Sequence, residues 1–390
     1  MEVGTMIVED GMSLTEGAGD LAGFPWPDGT MWEEARAWLE PMVREGTTVF
    51  VKNAPTDLRL LRVGEAVLPV TVDEPGPGRS YVVSPWAQYV DYASEELSRL
   101  PKRWQRWGGA ALLQIMRPWL RRAQMDRVVQ VNNWLLSTNL WPAGMAEDVA
   151  RIVLLLRRIW PDRAVIFRSL DLVSQPGLVN ALKAAGARMV FSRIVTYQDP
   201  AAPLFWRNRQ LRQDRKRFVR EGWQAEPVGT DVPGQAVELK RLYDALYLEK
   251  YSRLNPDFTE KFFTEALKSK FVRMELLRQP GGPPAGVWGW WVRGGVMTQP
   301  VFGYDPSGPR GAAPYAALSL RVLERAAHLG LKVNASGGAG RFKQQRGGIA
   351  TVEWHAVFDD HLPASARRPW AVLERLVGPR IQEVLRGAGL

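Results

Sequence analysis

The sequence predicts a mixed α/β (α+β) protein built as two similar halves, each a mostly antiparallel sheet flanked by helices. Three observations carry that expectation. A chain of 390 residues is long for one core and fits two domains of ordinary size. A meander of short strand-like runs gives way to alternating helices and strands, the order of a layered α/β structure. After the segment QDPAAPLFW at 198–206 the element order recurs, although no residue-level repeat accompanies it.

Taken in order, residues 1–30 are rich in Gly, Asp and Glu, and are expected to be a loosely ordered N-terminal segment. Trp32, Ala35, Trp38, Leu39 and Met42 fall near helical spacing and predict a helix over 31–45. The runs TVFVKN (48–53), LRLLRV (59–64), AVLPVTV (66–72) and RSYVVS (79–84), divided by Gly and Pro groups, read as strands. Helices over 86–100, 109–124, 146–159 and 176–185, with strands at 127–131, 164–168 and 188–197, complete a first domain of 31–200. A second domain, 201–390, begins with helices over 207–221, 235–250 and 259–269 and strands at 271–278, 287–293 and 296–302. A helix over 311–328, strands at 331–335 and 351–358 and a terminal helix over 367–386 finish it.

Composition excludes several chemistries. Without cysteine there is no disulfide, thiolate zinc site, iron–sulfur cluster or acyl-cysteine nucleophile. Three histidines, His328, His355 and His361, are too few for a histidine-rich metal site, and no metal is expected. No apolar stretch runs long enough without charge to span a bilayer. Glu2, Glu9 and Asp10 stand where a signal peptide carries positive charge, so a cytoplasmic protein is expected. The net charge of +10 favours polyanionic partners such as RNA, anionic lipid or phosphorylated co-substrates. The competing explanation is genomic composition, since Arg outnumbers Lys more than threefold.

Two segments carry chemistry. In VFGYDPSGPRGAAPYAALSL (301–320) an apolar strand ends, a Gly-rich turn follows and a helix starts near Gly311. Free N–H groups at a helix start hold a phosphate or a carbonyl oxygen. Gly308, Arg310, Gly311 and Ala313 are therefore donor-binding candidates, and the same segment is equally readable as an ordinary Gly-rich helix start. The second segment, GRFKQQRGGIATVEWHAVFD (340–359), places Phe342, Lys343 and Arg346 on a Gly-rich turn before an alternating strand. The six residues 345–350 repeat the phosphate-loop pattern, but a strand follows them, so the pattern has no helix start to act through.

A Gly-rich helix start, a strand, a Phe-Lys turn and a last strand, in that order, resemble the C-terminal half of Fem-type aminoacyl-tRNA-dependent transferases over about 205–360. The whole chain is similar to GNAT-superfamily acyltransferases with tandem GNAT-like domains. The resemblance implies that Phe342 and Lys343 lie beside the acyl donor, with Lys343 near its carbonyl. A fixed ammonium is sensible there, because attack on an ester builds negative charge on oxygen. Arg346 adds to that field, and Tyr304 joins the catalytic candidates. An acetyl-CoA-dependent GNAT enzyme carries Gln/Arg-x-x-Gly-x-Gly/Ala. Here Gly308 stands at the leading position, which weakens pyrophosphate binding and leaves Arg310 as the compensating cation.

The basic helix WRNRQLRQDRKRFVREG (206–222) resembles one that lies towards phosphorylated substrate in Fem-type proteins, which implies phosphate or tRNA contacts by Arg207, Arg209, Arg212, Arg215 and Lys216. The alternative is a solvated basic face. Asn132 and Asn133 after a strand, with Tyr251 and Arg253 after a helix, are acceptor-pocket candidates. Local turn and helix-end roles explain the same residues. His355, Tyr304, Asp305, Glu249 and Glu353 compete as general base, and an already activated aminoacyl ester needs none.

The expected function is transfer of an aminoacyl group from aminoacyl-tRNA, the co-substrate, to an amine or hydroxylamine nitrogen. The acceptor is a small molecule or peptide precursor, of the cell wall or of an antibiotic-like secondary metabolite, and no cofactor is tightly bound. One alternative is an acyl-CoA-dependent N-acyltransferase. Another is a non-catalytic RNA- or anionic-surface-binding protein on a GNAT scaffold.

Overall fold

The computed structural model describes residues 6–98, 103–230, 232–306 and 314–387. The first half contains strands β1 (Ile7–Glu9), β2 (Met12–Leu14), β3 (Asp57–Val63), β4 (Ala66–Asp73), β5 (Val128–Val131), β6 (Ala164–Leu170) and β7 (Arg188–Gln198). Its helices are α1 (Thr30–Glu45), α2 (Ala93–Ser98), α3 (Arg103–Arg122), α4 (Val149–Ile159) and α5 (Pro176–Ala184). The second half contains β8 (Gln224–Pro227), β9 (Arg273–Arg278), β10 (Pro284–Arg293), β11 (Val296–Tyr304), β12 (Lys332–Asn334) and β13 (Ile349–Phe358). Its helices are α6 (Arg209–Arg220), α7 (Gln235–Asp244), α8 (Glu260–Ser269), α9 (Pro314–His328), α10 (Gly340–Gln344) and α11 (Ala364–Gly387). No helix among the described residues is long and apolar enough to cross a membrane.

All thirteen strands form one sheet, ordered β1-β2-β3-β4-β5-β6-β13-β7-β12-β11-β10-β9-β8. Six strands of the first half from one end and five of the second half from the other lead to a central pair, β13 and β7, that the halves exchange. β13 from the second half runs between β6 and β7, with Phe358 opposite Val165 and Glu353 opposite Arg193. The pairing is antiparallel except at β5–β6 and β11–β12, which occupy matching places in the two halves. These two pairs also part early. β11 meets β12 only over Val296–Thr298, and β5 stops at Val131 opposite Phe167 while β6 runs on to Leu170. Each half therefore opens a gap beyond the carboxyl end of a parallel pair, the common ligand position in α/β sheets.

Local chemistry explains several boundaries. Gly294 and Gly295 both have positive φ and close the two-residue turn between β10 and β11, the backbone twist such hairpins require. The Asn208 side chain accepts from the backbone N–H groups of Gln210 and Leu211 and starts α6. Gly303 permits a close crossing, since a Cβ there would lie 2.4 Å from the Leu242 carbonyl oxygen.

Four sequence expectations change. Residues 7–14, placed in a loosely ordered segment, form the β1–β2 hairpin with Met12 and Leu14 buried. TVFVKN makes a short 3-10 turn at Thr47–Val49 and a single bridge from Val51 to Phe258. RSYVVS is irregular, because Ser80 and Tyr81 bond to Leu254 of the second half instead of a strand. The Phe-Lys turn is the short helix α10.

The halves are joined by stacked rings: Trp38 on Phe271 at 5.4 Å and Trp134 on Phe271 at 4.9 Å between centroids. Each such pair contributes about 1 kcal/mol beyond its buried area. Arg293 lies in this stack, 4% exposed, with its guanidinium over Trp134 at 4.6 Å, Trp32 at 5.0 Å and Trp291 at 5.3 Å. Its Nε and Nη1 have no hydrogen-bond partner, and burial pulls its pKa down to about 9. A planar cation suits three ring faces, which a compact ammonium cannot cover. Arg293→Lys is expected to lower stability by about 2 kcal/mol, read as an earlier urea midpoint.

Candidate active site

The two gaps in the sheet open into one cavity of about 770 Å³ whose wall comes from both halves and from the exchanged strands. Tyr81, Tyr89, Tyr92 and Arg168 line it on the first-half side, and Arg193, Phe191 and Glu353 line its middle. Tyr247, Tyr251, Gln299, Tyr315, Phe342 and Lys343 line the second-half side. Most of the lining is aromatic or aliphatic, with a few fixed polar groups, the usual character of a small-molecule site.

Lys343 is 8% exposed, and its ammonium is held by three backbone carbonyls: Ala335 at 2.5 Å, Gly337 at 2.9 Å and Ser336 at 3.2 Å. The carbonyls converge because the loop is coiled left-handed, with positive φ at Ser336, Gly338 and Ala339. Non-glycine residues adopt that conformation at a cost of about 1 kcal/mol each. Asn334 secures the loop by accepting from the Ser336 N–H and donating to the Tyr197 hydroxyl. Behind α10, a Cβ at Gly348 would lie 2.5 Å from Thr196 and 2.8 Å from the Lys343 carbonyl oxygen, so the chain passes there only as glycine. Burial, helped by the nearby Arg193 guanidinium, pulls the Lys343 pKa down to about 7. Both protonation states are therefore accessible near neutrality.

A polar chain crosses the cavity wall. Gln88 donates to Ser192, whose hydroxyl donates to Glu353. Arg193 holds Glu353 through Nε at 2.9 Å and Nη2 at 3.0 Å, and also donates to Thr138. Thr138 donates to the Ser336 hydroxyl, which closes the link to the Lys343 loop. His355 is fully enclosed against the Tyr89 hydroxyl at 3.1 Å, and burial lowers its pKa further.

Residues 207–344 match the family described as an acetyltransferase (GNAT) domain. Over those residues the chain is similar to GNAT-type acetyltransferases. FemX shares the fold across 92% of this chain and 98% of its own, with TM-score 0.52 and 8% identity. L-PGS from Bacillus licheniformis aligns over 60% of this chain and 79% of its own at TM-score 0.44 and 15% identity. A tandem GNAT protein from the clavulanic acid biosynthesis pathway aligns over 90% and 99% at TM-score 0.38 and 13% identity. No curated protein matches the chain in sequence.

Within the matched segment, Tyr251, Phe342 and Lys343 line the cavity. Phe342 packs edge-on against Tyr315 at 4.7 Å. Tyr304 stands outside the cavity lining, next to Tyr315 and 3.3 Å from the Lys250 ammonium. Arg346 lines the cavity, yet its charge is spent in a two-point bond to Asp214 and a stack on the Phe342 ring. Its place is structural: it clamps the α10 turn to α6. Gly308, Arg310, Gly311 and Ala313 lie outside the described residues.

The acceptor candidates Asn132 and Asn133 are corrected. Both are fully buried away from the cavity, Asn132 bonding Leu140 and Trp134, Asn133 bonding Thr71, Val82 and Arg168. With φ of 57°, Asn132 takes the left-handed turn position Asn tolerates well. Arg253 is exposed, outside the cavity lining. Sequence reasoning missed Arg168, Arg193 and the role of Glu353. Each is a lone charge within an apolar strand run, a signal for a buried partner or ligand.

Arg207 just before α6 and Arg209, Arg212 and Lys216 on it are exposed, and no ion pair joins these cations to any described residue. Arg215 instead pairs with Glu324 and stacks on Trp206.

Proposed function

We propose that the protein transfers an aminoacyl group from aminoacyl-tRNA to an amine or hydroxylamine nitrogen of a small molecule or peptide precursor. The observation that supports a polyanionic donor is the joining of α6 to the Lys343 turn. Asn208 at the start of α6 donates to the Gln345 carbonyl, and Asp214 within it binds Arg346. A phosphate chain on the exposed cations of α6 would thus lie against the structure that carries Lys343.

In the reaction the acceptor nitrogen attacks the ester carbonyl, a C–N bond forms and the C–O bond to the ribose breaks. The proton lost by nitrogen ends on the ribose oxygen. No covalent enzyme intermediate is required, and positioning within the enclosed cavity supplies much of the rate. The Lys343 ammonium, its protons held by three carbonyls, acts on the growing negative charge of the carbonyl oxygen through its field. Glu353 is fully engaged by Arg193 and Ser192 and His355 lies outside the cavity lining, so neither serves as base.

Purified protein incubated with radiolabelled charged tRNA and a panel of amines should yield labelled amide. Labelled product from acetyl-CoA alone would replace this reading with the acyl-CoA one, which the matched family's description as an acetyltransferase favours. Reversing charge at Arg209, Arg212 and Lys216 together is expected to weaken tRNA binding. The slope of log affinity against log salt should fall by roughly 2 to 3, measured by filter binding at several salt concentrations.

A further inference from the structure

We propose that Arg168 forms an anion subsite at the first-half end of the cavity, and that the acceptor is a small apolar molecule bearing a carboxylate. The inference begins from the charged groups that line the cavity: Arg168, Arg193, Lys343, Arg346 and Glu353. Arg346 is matched by Asp214 and Arg193 by Glu353. Three carbonyls hold Lys343. Arg168 has no carboxylate partner among the described residues, although it is 2% exposed. A buried guanidinium without a counter-ion costs several kcal/mol, so the site is built for an anion that arrives with the ligand.

Geometry selects the kind of anion. Nη1 of Arg168 is consumed by the Val82 carbonyl and the Asn133 side chain. Nε and Nη2 make no hydrogen bond among the described residues, and Nε is a buried donor without a partner. Nη2 is thus the donor left for an anion in the cavity, and a charge-assisted hydrogen bond to a carboxylate is among the strong ones. Glu353 lies close enough to Arg168 for its charge to act on it, so a monoanion balances the pocket better than a phosphate dianion. Burial raises the pKa of Tyr81 and Tyr89 above the usual phenol range, so they stay neutral and supply apolar wall. Arg168 reaches the cavity because β6 runs past the end of β5, and it lies outside residues 207–344.

That the anion belongs to the acceptor rests on the acyl-transfer reading, whereas the subsite itself is tested by binding alone, without donor. Calorimetric titration would compare 3-phenylpropionate, 3-phenylpropan-1-ol and 3-phenylpropylamine. The carboxylate should bind about tenfold tighter than the alcohol, the gain of a charge-assisted pair. This preference should persist between roughly 0.05 and 0.5 M salt, because a buried pair escapes screening. Folded Arg168→Met should bind acid and alcohol alike, and Arg168→Lys should keep a reduced preference. Equal binding of acid and alcohol by the wild-type protein, a preference lost at high salt, or one that survives in folded Arg168→Met would overturn the proposal. The wild-type comparison across salt decides the matter even where the variants do not fold.

Discussion

Lys343→Met is expected to lower kcat for acyl transfer by about 10²- to 10³-fold, the usual cost of removing one group that stabilises a developing oxyanion. Met preserves the length of the stem, so the change is mainly one of charge and hydrogen bonding. A structural cost accompanies it: the carbonyls of Ala335, Ser336 and Gly337 lose their shared donor. Leaving such groups unmet costs about 1–3 kcal/mol. The pH profile separates the two effects. Burial holds the Lys343 pKa near 7, so its ammonium is lost as pH rises through that value, and wild-type kcat should fall there. The residual activity of Lys343→Met should lack that limb. Stability moves with the opposite sign. The unfolded chain keeps the lysine proton to its ordinary value of 10.5 while the folded chain releases it near 7. Between those values the unfolded state binds more protons, so wild-type stability should rise with pH and the variant's should not follow. Stopped-flow rates and urea midpoints over that pH range would measure both. A variant with wild-type kcat and an unchanged falling limb would remove Lys343 from the chemistry.

What the sequence disclosed and what it hid divide along physical lines. Strands β3, β4, β9, β10 and β11 were legible because alternation and tight turns are local properties. The β1–β2 hairpin was equally local: Asp10 and Gly11, both with positive φ, are an Asp-Gly turn between short apolar runs. Residues 79–84 resemble a strand by composition, but the second half claims their backbone at Leu254, and no local pattern encodes that contact. The exchange of β7 and β13 is likewise non-local. It is also what brings Arg193 and Glu353 into register at the cavity, so the pairing could not be read from either segment alone. Lys343 and Phe342 were singled out through a family resemblance, whereas the clamp made by Arg346 shows that a basic residue lining a cavity can be engaged by the protein itself.

Glu353→Ala should be the most destabilising single change in the cavity wall, lowering unfolding free energy by about 3–5 kcal/mol. The carboxylate is 3% exposed and accepts from Arg193 through both oxygens and from Ser192 through one. Removing it strands the Arg193 guanidinium beside Arg168, with no other carboxylate among the described residues that line the cavity. The loss would travel further than one bond, because Arg193 also supports Thr138 and, through it, the Ser336 loop that holds Lys343. Glu353→Gln should cost less, since an amide oxygen still accepts from Arg193, though without full charge. Pairing Glu353→Ala with Arg193→Met removes the stranded cation, so the double variant should be more stable than Glu353→Ala alone. Urea unfolding of the four proteins in that cycle gives the coupling directly. A coupling near zero would mean that the pair across β7 and β13 is not what fastens the halves around the cavity, and the polar chain from Gln88 to Ser336 would lose its structural role.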